Sequence, residues 1–169
     1  MGKWIARIAL AAACLWFVSG DGALAESPGV AVAEAASVRT LQSELMVAAL
    51  ACPGDLGISL TRNYNRFVRH YSPALLRSAN TLRAHFRVIY GAKHAIYFDS
   101  FLTHLANLAS LNSIREAAYC EDRAKLVEAV LTLNDSDLES FTIANYAMVV
   151  DFTELDPFVP TRERHFVAR

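Results

Sequence analysis

Seven basic side chains and no acidic one stand between residues 56 and 98: Arg62, Arg66, Arg69, Arg77, Arg83, Arg87 and Lys93. Residues 99–156 reverse the balance, with eleven acids against three bases. On a helix of 3.6 residues per turn Arg62, Arg66 and Arg69 fall within about 60° of one another, and Arg83 stacks on Arg87 at i, i+4. Guanidinium groups in such rows grip phosphates or carboxylates bidentately. Arg62, Arg66, Arg69, Arg83 and Arg87 are therefore the candidate anion-binding residues. The same charges have a second use, in which basic helices pack beside acidic ones and neutralise them. The sequence favours that internal pairing, with Glu116, Glu121, Asp122 and Glu128 as partners. An anionic lipid or envelope polysaccharide, or a protein partner, is the external alternative.

Other constellations carry less. Glu44 is the one acid inside an otherwise apolar run, Leu41–Met46, where burial would raise its pKa and suit it to general acid chemistry. The more ordinary role for such a carboxylate is to face solvent or bond a neighbour. His70, His85, His94, His104 and His165 include no i, i+4 pair, and no H-E-x-x-H or C-x-x-C occurs, so no metal site is expected. Without C-x-x-C-H there is no covalent haem, and no cofactor is implied. Asp135, Asp137 and Glu139 start like a calcium loop but lack its Gly, with Tyr146 where the bidentate Glu should stand. G-x-S-x-G and S-x-x-K are absent. Tyr64, Phe67, Tyr71, Phe86 and Tyr90 are interleaved with the arginines as base-stacking platforms would be, but they lie on apolar stripes and read as core.

The elements that position these residues begin after an address segment. Lys3 and Arg7 precede an uncharged run, Ile8–Val18, and Ala23-Leu24-Ala25 ends it: a secretory signal over 1–25, too short in its apolar part to span a bilayer. No later run approaches a span. Cys14 leaves with the signal. Cys52 and Cys120 remain, and two cysteines in an exported chain favour a disulfide over two free buried thiols. The 169-residue chain is 54% hydrophobic, too apolar for a disordered tail and long enough for one core. Sixteen Lys+Arg against seventeen Asp+Glu excludes the basic excess of a nucleic-acid binder.

The small residues of 26–36 read as a flexible leader, 37–150 as the helical domain and 151–169 as an extended tail. Within the domain Val38, Leu41, Leu45, Ala48 and Cys52 recur at helical spacing until Pro53-Gly54. A second helix fits 58–71. Ser72-Pro73 caps a third whose stripe is Leu75, Ala79, Leu82, Phe86 and Ile89, ending at Gly91. A fourth covers 93–111, with Phe98, Phe101, Leu105 and Leu108 inward. Ser113 with Glu116, and Ser136 with Glu139, read as capping boxes opening a fifth and a sixth. The fifth turns Ala117, Cys120, Ala124, Val127 and Leu131 inward. The fold class is all-α, a five- or six-helix antiparallel bundle stapled by one disulfide.

Leu41–Leu50 with Cys52, Tyr64-Asn65-Arg66-Phe67-Val68-Arg69, Tyr90-Gly91, Leu105-Ala106-Asn107 and Cys120 together resemble an uncharacterised family of small exported all-helical proteins of Gram-negative bacteria. The resemblance covers about residues 40–131. It implies export, helicity and a Cys52–Cys120 pair, and supplies no activity. The function expected is a periplasmic or secreted binding or interaction protein. The rival is a cell-envelope enzyme, such as a hydrolase acting on cell-wall material, which a pocket joining Glu44 or Asp99 to a histidine would favour.

Overall fold

A computed structural model describes residues 28–146. Six α-helices follow one another: α1 (Pro28–Ala51), α2 (Gly54–His70), α3 (Ser72–Tyr90), α4 (His94–Arg115), α5 (Tyr119–Val130) and α6 (Leu138–Tyr146). Short 3-10 turns, Gly91–Lys93 and Asp135–Asp137, lead into α4 and α6. There is no strand among the described residues, and Cys52 is bonded to Cys120 with their Cα atoms 5.8 Å apart. The all-α bundle stapled by a disulfide is thus the fold. The signal over 1–25 and the tail over 151–169 lie outside the described residues.

The bundle is organised around α1, which packs against α2, α3, α4 and α6 and, over a shorter stretch, α5. Its apolar residues are spread around the helix rather than gathered in one stripe, the pattern of a helix enclosed by others. This corrects the leader expected over 26–36, because α1 is already helical from Pro28, with Ala35 and Ala36 buried. Pro in the first turn lacks only an N–H that has no helical partner, and alanine is the strongest helix former. The small side chains also let neighbours approach closely. Ala35 and Ala36 share one buried cluster with Ala79, Leu82 and Phe86 of α3 and Phe98, Phe101 and Leu105 of α4. A second cluster joins Leu41, Leu45 and Ala48 to Leu60, Phe67, Tyr119, Val127 and Leu138.

The chain reverses sharply between α1 and α2. Gly54 takes φ +65°, and a Cβ on Gly57 would stand 2.0 Å from the Cys52 carbonyl oxygen. Gly91, at φ +55°, ends α3 as its sequence position suggests. The serine caps do not form. Tyr71 stands at the N-cap of α3, with Pro73 in the first turn and no side-chain capping bond. α4 continues to Arg115, and the Ser113 hydroxyl donates to the Ser110 carbonyl. The Ser136 hydroxyl donates to Asp137 instead of capping α6. In both expected capping boxes the glutamate is taken by a guanidinium, Glu116 by Arg123 and Glu139 by Arg77, and a charge-assisted bond outcompetes a capping N–H. Ile89 and Ala117, placed inward by spacing, are exposed because each lies where its stripe outruns the core.

The disulfide spans 68 residues, a closure that restricts the unfolded chain by about 4 kcal/mol. Calorimetry on Cys120→Ala should show a melting temperature lower by about 10–20 °C. Gly57→Ala should cost about 1–3 kcal/mol in denaturant unfolding, since the added methyl meets backbone. A Gly57→Ala variant as stable as the parent would remove the close approach from the account of this turn.

Candidate functional site

Among the described residues, the charged side chain set deepest in the fold is Glu44. Leu41 and Leu45 hold this stretch of α1 in the core, which carries the carboxylate inside with them; its side chain is 5% exposed. Arg123 of α5 donates from Nε to Glu44 Oε2 at 2.9 Å, and Asn112 of α4 donates from Nδ2 to Oε1 at 2.6 Å. The Tyr119 hydroxyl donates to the Glu44 backbone carbonyl at 3.1 Å. A second arm of Arg123 reaches Glu116 at 3.0 Å, and its guanidinium lies 4.5 Å from the centroid of the Tyr119 ring. One point in the bundle therefore ties three helices together beside the Cys52–Cys120 bond.

The electrostatics suit a fixed ion pair. Burial alone would lower the pKa of Arg123, but the hydrogen bond and charge of Glu44 more than offset it, and the net shift is upward. Burial, with the charge of Glu44, raises Tyr119 well above the usual phenol range. Burial likewise pushes Tyr146 up to about 12, with Glu44 and Glu116 adding to the rise and Arg123 opposing it. Both carboxylate oxygens of Glu44 are engaged by donors on neighbouring helices, and neither donor is a histidine.

The basic segment is arranged differently. Arg62, Arg66 and Arg69 are all exposed on α2, and no carboxylate lies within ion-pair distance of them among the described residues. The pairing with Glu116, Glu121, Asp122 and Glu128 that the sequence favours is therefore not formed. Glu116 pairs with Arg123 and Asp122 with Lys125, while Glu121 and Glu128 face solvent. Among the described residues, ion pairs that join the two charge blocks include Arg77–Glu139, 2.8 Å, and His70–Asp135, 3.3 Å. Those exposed pairs add little to stability, since typical values are about 0.2–1 kcal/mol. An open cleft of about 410 Å³ is lined by Arg66, Arg69, His70 and Leu131. The two remaining candidates lie on α3: Arg87 is exposed, and the Arg83 guanidinium covers the Phe98 ring at 4.9 Å.

Spacing alone does not reveal Arg39. It is half-buried on α1, donates to Gln42 and to the Leu75 carbonyl, and leaves its Nε without a partner. Burial, and then the nearby Arg83 charge, lowers its pKa. Asn112, Tyr119 and Arg123 were also outside the sequence reading. A buried acid requires a cation, and Arg123 is one of three bases in the acidic half, four residues from a tyrosine. That signal was available. Among the described residues no cluster of His, Cys, Asp and Glu could hold a metal ion, and no helix is long and apolar enough to cross a membrane.

Breaking the buried pair should be costly: Arg123→Met should lose about 3–5 kcal/mol, and Glu44→Leu/Arg123→Met should recover part of that loss in urea unfolding. A double variant no better than the single one would show that Arg123 acts through other contacts. Alkali tests the tyrosines. In the unfolded chain they ionise near pH 10, while Tyr146 in the fold keeps its proton to about 12. Between these values the folded state binds more protons, so the tyrosine contribution is constant below pH 10 and stability should fall as pH rises towards 12. Tyr146→Phe should shallow that decline. No protein-family model, curated protein or solved structure matches this chain.

Proposed function

We propose that the protein is an exported, periplasmic helical interaction module whose α2 face takes an anionic envelope component. The observation that carries this reading is the row Arg62, Arg66 and Arg69, exposed and without a carboxylate partner among the described residues, while Glu44, Glu116 and Asp122 pair with other cations. The cleft lined by Arg66, Arg69 and His70 gives such a ligand a place beside two arginines. Export is supported by the residues of 1–25 and by the disulfide, a bond kept in oxidising compartments. Membership of the exported helical family that the sequence resembles belongs to the same reading. The rival, a cell-envelope hydrolase, would draw support from Glu44 in a pocket with a histidine, and the contacts of Glu44 are Asn112 and Arg123.

A soluble polyuronate is a suitable probe, because its repeated carboxylates match the arginine row. Binding should weaken steeply with salt, as the screening length shrinks from about 10 Å at 0.1 M to about 3 Å at 1 M. Arg62→Glu/Arg66→Glu/Arg69→Glu should abolish it while the thermal melt stays within a few degrees of the parent. A triple variant that unfolds, or one that binds as the parent does, would overturn the reading.

A further inference from the structure

Four of the large hydrophobic side chains exposed to solvent gather at one end of the bundle: Val88 (86% exposed) and Ile89 on α3, Ile96 (50%) on α4, and Val30 in the first turn of α1. That end is the turn between α3 and α4. α1 begins beside it, since Val32 packs with Tyr90 and Tyr97 against the aromatic cluster. The turn is braced from within. Gly91 closes α3 at φ +55°, a His94 ring nitrogen bonds the Gly91 carbonyl, and Tyr90 and Tyr97 stack across the turn with centroids 3.7 Å apart. The aliphatic side chains are thereby presented at fixed positions. Around them stand Arg87 and Lys93, both exposed, with Arg83 one turn below Arg87. The acids closest along the chain on the elements meeting there are Glu34 on α1 and Asp99 on α4.

We infer that this tip docks on the surface of a bilayer bearing anionic headgroups. Arginine and lysine around a small apolar centre, with tyrosines beside it, is the arrangement that rests in a lipid interface. Aliphatic groups enter the acyl boundary, phenol rings sit at headgroup level, and the long basic stems reach the phosphates. The charge sign selects anionic lipid over zwitterionic lipid. A protein partner is less suited, because a stable interface needs about 800 Å² from each side, and a convex turn with a few side chains does not offer that. The inference goes beyond the polyanion reading of α2. It concerns other residues, and α3, 19 residues long, sets the tip about 27 Å along its axis from the α2–α3 junction.

Co-sedimentation with vesicles tests it, using phosphatidylglycerol mixed into phosphatidylcholine against phosphatidylcholine alone. All variants are made in the same full chain, so any contribution of residues 1–27 is common to them. The parent should pellet with the anionic vesicles only. Val88→Asp/Ile96→Asp should weaken that binding at least tenfold with an unchanged melt, and should leave polyuronate binding intact. Arg62→Glu/Arg66→Glu/Arg69→Glu should show the converse, losing polyuronate and keeping the vesicles. A parent that binds no anionic vesicle, or a tip variant that binds as the parent does, overturns the inference. So does vesicle binding lost only in the α2 variant, which would assign membrane contact to α2. A parent dimer that the tip variant dissociates would make the patch a contact between copies and would also overturn it.

Discussion

Enclosing α1 on all sides forces a carboxylate into the interior, and the rest of the bundle answers that constraint. A charge in such a place is tolerable only when opposite charge and hydrogen-bond donors meet it. Asn112 and Arg123 lie on different helices, so both α4 and α5 must present a particular side to α1 for the carboxylate to be satisfied. The demand fixes rotation as well as position. Turning α5 by one residue would carry Arg123 away from Glu44, and with it Cys120 away from Cys52. Apolar packing alone tolerates several arrangements of similar volume, whereas this set of bonds accepts one.

The two ends of α1 are held by different physics. Towards its C-terminus the covalent bond, the ion pair and the hydroxyl of Tyr119 lie close together. Towards its N-terminus the contacts are aromatic, with Phe86 at 5.8 Å from Phe101 and 6.0 Å from Phe98 between ring centroids. The segregation of charge along the sequence maps onto the surface rather than cancelling inside. The bases of α2 and α3 stay in water, and the acids of α5 are largely matched within their own region or exposed. The molecule thus presents a strong local field despite a formal net charge of −1, and local field governs encounter with charged partners.

Much of this architecture is legible from the chain itself. Leu75, Ala79, Leu82 and Phe86 recur at helical spacing and are all buried, and Gly91 stops the helix where its conformation demands. Several of the misread elements have partners remote in sequence. Residues 28–36 look like a linker because alanine is common both in linkers and where helices press closely, and only the neighbours decide. Glu116 and Glu139 sit at the right distance from a serine to cap a helix, but Arg77 reaches Glu139 from 62 positions away, and Arg123 reaches Glu116 across the turn from α4 to α5. Glu44 is conspicuous as a lone acid among apolar residues, whereas its cation is 79 positions away. The arginines of α2 show only their sign in the sequence, and sign does not tell solvent from an acidic neighbour.

The covalent loop from Cys52 to Cys120 encloses α2, α3 and α4 and leaves α6 outside it. α6 has nine residues, too few to remain helical alone, so its coiling and its docking on α1 are a single event. Its ties are the burial of Leu138 and Thr142, the Ser37 hydroxyl bond to the Tyr146 carbonyl, and the exposed Arg77–Glu139 pair. The amide protons of α6 should therefore exchange with solvent as one cooperative unit, ahead of the cross-linked helices. Each such opening bares a strip of α1, so the helix most enclosed in the native state is also the first whose apolar surface meets water.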